Sequence, residues 1–159
     1  MALPGGTIEL LIRKEAACLT GDDLAGWAVA ALTDGFDSPA LRRLAGLDPP
    51  VTCSEAMPVF ERAVRELGLA VPDSKDSLYR AWLVVLAQGI VDGVRAASEA
   101  LQIVHRDVIG PLNHPDDLMP WCHLWEGHDP VTFASLDDRA IEAMVMRLAR
   151  ETVARSTIL

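Results

Sequence analysis

Lysine and asparagine are almost missing from this sequence: two lysines stand against twelve arginines, and there is one asparagine. The skew marks high-GC bacterial coding and carries no functional message. Cysteine is nearly as scarce. Cys18, Cys53 and Cys122 form an odd, sparse set, which excludes a disulfide framework and points to a reducing compartment. No basic stripe is present to neutralise a run of phosphates, so nucleic acid and anionic membrane surfaces are excluded as partners. Long apolar runs are absent. The longest, "AWLVVLAQGIV" from Ala81 to Val91, holds about half the residues a membrane-spanning helix needs. The opening "MALPGGTIELLIRKEA" has neither the basic start nor the long apolar stretch of a secretory signal. These absences set the expectation of a cytoplasmic protein. Catalytic signatures are missing as well: there is no GxSxG elbow, no Walker loop and no dinucleotide fingerprint. The Gly5–Gly6 pair follows no strand.

What is present is an acidic, apolar chain of one-domain size. Its 159 residues are 50% hydrophobic and 23% charged, enough to bury a core without staples and too apolar for general disorder. The expectation is a single domain over residues 1–159 with flexible ends at about 1–6 and 155–159. The net charge of −9 is unevenly spread: residues 21–60 carry six acids against two bases, and residues 101–140 seven against two. A basic partner protein or cationic ligand suits this surface, although solubility alone accounts for it equally well.

Helical periodicity dominates and no alternating strand pattern appears. Thr7 can cap a first helix. Thr20 and Asp23 form a capping-box pair before a face of Leu24, Trp27, Ala28, Ala31 and Leu32, with Gly35 placed to stop it. Ser38–Pro39 opens a short helix that Gly46 closes. Thr52 and Glu55 resemble another capping box, but Pro58 falls where its missing N–H breaks a backbone bond, so that helix is expected to begin near Ser54 or later. A fifth helix, about 77–93, is apolar nearly all round and belongs at the centre of a bundle. Ala97, Leu101, Val104 and Val108 mark a sixth helix ending before Pro111. A short helix follows, and a last one is expected with Ser135 and Asp138 at its start. No fixed repeat appears, which disfavours a solenoid. The reading is all-α: a compact irregular bundle of about seven or eight helices around the 77–93 helix.

The combination "GFDSPALRRLAGL", a helix ending "ELGL", and "AQGIVDGVRAASEALQIV" resembles a class of small all-helical actinobacterial proteins of uncharacterised function, over roughly Trp27 to Val104. The resemblance implies fold and origin. It transfers no catalytic residue.

The chemically richest stretch is "HPDDLMPWCHLWEGHD", His114 to Asp129, with three of the four histidines, one cysteine and two of the four tryptophans. Zinc or iron would need three or four converging ligands. His114, His123 and His128 are the candidates, with Cys122 and Glu126 nearby. Their spacing gives no shared helical face: His123 and His128 are five apart, and Cys122 and His123 are adjacent and diverge on a helix. Only Glu126 with His123 stands at a favourable spacing, and His105 can join only through the tertiary fold. The adjacent acids Asp22–Asp23, Asp116–Asp117 and Asp137–Asp138 fall in helix first turns, where the macrodipole favours them. Leu118, Trp121 and Trp125 make one helical stripe, which means either core or a contact surface.

The function expected from these residues is a non-enzymatic helical interaction module, of adaptor, immunity or antitoxin type, presenting acid to a basic protein. Trp121 and Trp125 are its anchors, ringed by Asp116, Asp117, Glu126 and Asp129. The competing reading is a small metal- or ligand-binding protein or enzyme using His114, His123 and His128. A homodimer is compatible with the apolar content, although no heptad stripe marks an interface.

Overall fold

The structure, a computed structural model, describes residues 3–156. Among these the chain is all-α, with eight α-helices and no β-strand, as its periodicity indicates. The chain divides into two compact units, residues 1–73 and 74–159, where the sequence reads as one domain.

The first unit holds α1 (Thr7–Glu15), α2 (Gly21–Thr33), α3 (Pro39–Ala45) and α4 (Cys53–Glu66). Helices α2, α3 and α4 pack on one another and α1 leans on α2. Their shared core includes Leu24, Leu41, Leu44 and Phe60, with the Trp27 and Phe60 rings edge-on at 5.0 Å. Local signals govern the starts. The Thr20–Asp23 capping box forms in full, and Ser38 caps α3 ahead of Pro39. Thr7 is not a cap. It lies inside α1, buried, where its hydroxyl donates to the Pro4 carbonyl (2.6 Å) and accepts from the Trp27 indole N–H (3.0 Å). A buried hydroxyl with two partners stabilises more as an internal tie than as a solvent-facing cap.

Helix α4 begins earlier than its proline suggests. Thr52 and Glu55 complete a capping box, and Pro58 sits inside the helix. Ser54 and Pro58 are both exposed, so water can satisfy the Ser54 carbonyl that the proline leaves unbonded, and the box outweighs the lost bond. Gly21 is required at the opening of α2: a Cβ there would lie 2.3 Å from the Val51 carbonyl oxygen and 2.5 Å from that of Thr52. The close approach lets the Asp22 carboxylate accept the Val51 N–H at 2.9 Å.

The second unit holds α5 (Lys75–Val91), α6 (Ala97–Val104), α7 (Met119–Trp125) and α8 (Asp138–Ser156). Helix α5 is its hub, packing most extensively on α8 and also on α6. It starts two residues before the expected Ser77, because Ser74 caps it in a reciprocal pair with Ser77. Its buried residues Leu78, Tyr79, Trp82, Leu83, Leu86, Ala87 and Ile90 follow one broad face, while Val85 is 44% exposed. The helix is therefore covered on one side rather than encircled. At the start of α8 the cap is Asp137, whose carboxylate accepts the Ala140 N–H at 2.8 Å, in place of Ser135.

Of the ends expected to be flexible, Leu3 packs against the first core, Pro4 holds Thr7, and Arg155 and Ser156 finish α8. Residues 1–2 and 157–159 lie outside the described residues.

Candidate functional site

The segment between α6 and α7 departs from regular helix in two places. Helix α6 runs directly into a π-helical turn, His105–Ile109, closed by the Gly110 N–H on the His105 carbonyl at 3.1 Å. Such single π-turns recur at functional sites because they displace side chains from helical register. The chain then reverses through Asn113 and His114, both left-handed (φ 59° and 55°). Their N–H groups reach back to Gly110 and Ile109 at 3.0 Å each, the paired bonds of a Schellman closure. Asparagine tolerates this conformation. Histidine does so at a cost of order 1 kcal/mol or more. A 3₁₀ turn, Asp116–Leu118, then feeds α7.

The displaced register and the reversal bring together residues that the sequence separates. An imidazole nitrogen of His105, one of His114 and the Cys122 Sγ lie within 4.8 Å of one another; Cys122 is buried, His105 half-buried and His114 exposed. The two imidazoles meet edge to face, centroids 6.2 Å apart. One turn beyond Cys122, the Glu126 Oε1 lies 4.0 Å from its sulfur. Burial first, and the Glu126 charge second, push the Cys122 thiol above its ordinary range. Trp125 stacks on the outer face of His105, with centroids 5.1 Å apart and planes 21° from parallel.

The histidine set expected from the sequence is not assembled. His114 joins His105 and Cys122. His123 instead meets the edge of Phe133 at 4.9 Å, and its buried Nδ1 has no hydrogen-bond partner. His128 donates its backbone N–H to the His123 carbonyl at 2.8 Å and pairs with Ser135 in a β-bridge. His123 and Cys122 point apart because they are neighbours on α7, whereas His105 arrives through the fold.

The tryptophan pair also divides. Trp121 is 1% exposed and belongs to the core; Trp125 is 42% exposed. The difference follows from position on α7: Trp121 lies in its first turn, lining a cavity with Leu83 and Thr152, and Trp125 ends it at the surface. Of the acids expected around them, Asp117 is held by Arg80 through two bonds, of 2.5 and 3.3 Å. That pairing lowers the Asp117 carboxyl below its ordinary value. Asp129 accepts the N–H groups of Val131 and Thr132 at 2.8 and 2.7 Å, which lowers it likewise. Asp116 and Glu126 are exposed. Asp117 and Asp129 thus serve the local backbone and an ion pair.

Trp125 forms one wall of a groove of about 400 Å³ between α6, α7 and the start of α8. Leu101 and Leu124, both buried, floor it, Ile141 lines the far side, and Asp138 and Glu142 stand exposed on its edge. Sequence reasoning missed these two acids as site residues. Their signal lies in the α8 pattern, where Asp138, Ile141 and Glu142 share one helical face.

Comparison with family models, with curated proteins and with solved structures finds no match to this chain.

Proposed function

We propose that this chain is a non-enzymatic interaction module, of adaptor, immunity or antitoxin type, whose Trp125 groove receives an apolar, positively flanked segment of a basic partner protein. The half-exposed Trp125 beside a preformed apolar floor carries this reading. Tryptophan is enriched among residues that dominate interface energies, and an amphipathic helix laid into such a groove uses one apolar stripe for affinity. The acids at the edge supply orientation and encounter rate more than net affinity. The chain's charge of −9 acts in the same sense. The anchor is Trp125 alone, since Trp121 is core.

The test uses a designed amphipathic helical peptide with a leucine stripe and arginine flanks, titrated against the full chain with Trp fluorescence as readout. Trp125→Ala is expected to weaken binding by at least 2 kcal/mol, roughly 30-fold. The double variant Asp138→Asn, Glu142→Gln should slow association and flatten its salt dependence. A photo-crosslinker at Ser98, on the groove wall, should then trap basic segments in cells of the native host. Equal peptide affinity for wild type and a folded Trp125→Ala protein rejects the groove as the binding site.

A further inference from the structure

The geometry points to a transition-metal site of the zinc class built by His105, His114 and Cys122, a set that differs from the histidines grouped by sequence. Three observations converge on it. The three ligand atoms lie within 4.8 Å of one another. Tetrahedral zinc, with bonds of about 2.0–2.3 Å, needs its ligand atoms roughly 3.3–3.7 Å apart, so closure asks for at most about 1.5 Å of approach. His114 is the exposed member of the three and has the most room to supply it. The donor set is right for the ion: one thiolate with two imidazoles suits zinc, cobalt or copper and disfavours magnesium and calcium, which take oxygen ligands.

The second observation is that two of the three ligands sit on irregular backbone, His114 sharing the left-handed reversal with Asn113. The π-turn begins at His105, and His114 is held in the left-handed region by the closing bonds of the reversal. A histidine in that conformation is an unfavourable choice where glycine or asparagine would close the turn at less cost. The imidazole, not the backbone, is what the position gains.

The third is the surroundings. Trp125 covers one face of the His105 ring, and Glu126 stands 4.0 Å from the Cys122 sulfur but outside the three-ligand group, so the fourth position falls to solvent. A Cys-His-His set brings one negative charge, the thiolate's, to the ion. The site does not require a groove partner: its three ligands stand together if the groove has no ligand.

The experiment is cobalt(II) titration of the reduced full chain, followed by zinc competition with a chromophoric chelator. One equivalent of cobalt should produce tetrahedral d–d bands with a thiolate-to-metal charge-transfer band, and one equivalent of zinc should bleach both. Cys122→Ser should remove the charge-transfer band. His114→Asn, which suits the left-handed backbone and so keeps the fold, should weaken zinc by more than the roughly 10–100-fold that loss of an outer-shell partner costs. His123→Gln and His128→Gln should leave affinity within about twofold. The proposal is overturned by cobalt spectra without the thiolate band, by wild-type zinc affinity in folded His114→Asn, or by loss of binding in His128→Gln.

Discussion

At the residue scale, the two tryptophans of α7 differ in kind although they sit one turn apart. Trp121 fills the second unit's interior at 1% exposure and Trp125 stands 42% exposed against His105. Trp121→Ala is expected to cost about 3–5 kcal/mol through lost burial and the cavity left behind, whereas Trp125→Ala should change stability by about 1 kcal/mol or less. Denaturant unfolding of the two variants measures this directly; equal losses would place Trp125 in the core as well. His114 shows the reverse kind of economy, with stability given up for position. His114→Asn removes a left-handed histidine from the turn, so the metal-free variant should be more stable than wild type by about 1 kcal/mol. A destabilised His114→Asn in metal-free thermal melts would mean the imidazole holds the turn for structural reasons.

At the scale of elements, the competition inside α4 is instructive. Thr52 and Glu55 cap it while Pro58 sits inside it. The sequence shows both signals, and what it does not show is that Ser54 faces solvent, which removes most of the penalty for the missing bond. Thr52→Ala should therefore cost about 1 kcal/mol, and Pro58→Ala should stabilise by less than the roughly 3 kcal/mol of a fully buried helical proline. Urea midpoints at constant slope decide it, and a neutral Thr52→Ala would show that the helix start is set by packing instead. Capping boxes such as Thr20–Asp23 and turn glycines such as Gly35 are legible because their interactions are closed within a few residues. The His105, His114 and Cys122 cluster is not legible for the opposite reason. It depends on a π-turn that shifts register and a left-handed reversal, and neither has a compositional mark. The Trp125 groove is half legible: the α7 stripe names its wall, but its acids come from α8. The one-domain reading rested on length, and length does not reveal that Asp73 ends one compact unit and Ser74 begins another.

At the scale of the whole molecule, two consequences follow from its charge and from the residue shared by its two candidate sites. Hydrogen bonds and ion pairs lower the carboxyls of Asp23, Asp37, Glu55, Glu66, Asp117 and Asp129. A folded carboxyl below its unfolded value means that the unfolded chain takes up protons first as pH falls, so this stabilisation is whole above the ordinary carboxylate range and is lost through it. Relief of negative self-repulsion acts the other way only down to the isoelectric point near 4.8; below it the chain grows positive and both effects destabilise. Melting temperature should vary little from pH 7 to about 5 and drop steeply below about 4, and a protein most stable at pH 3 would contradict the assignment of these pairs. The shared residue is Trp125, stacked on His105 and walling the groove. An ion that fixes the His105 ring also fixes the indole against it, so peptide bound to the groove loses less freedom when zinc is present. Linkage then requires that zinc tighten the peptide and the peptide tighten zinc by one common factor, expected near fivefold, the lower end of ordinary coupling. Calorimetric titration of the amphipathic peptide with and without zinc, and of zinc with and without peptide, gives both factors. Cys122→Ser should bring the ratio to one while leaving metal-free peptide affinity unchanged. If peptide affinity is the same with and without zinc in the wild-type chain, the indole does not link the sites, and each must stand on its own test.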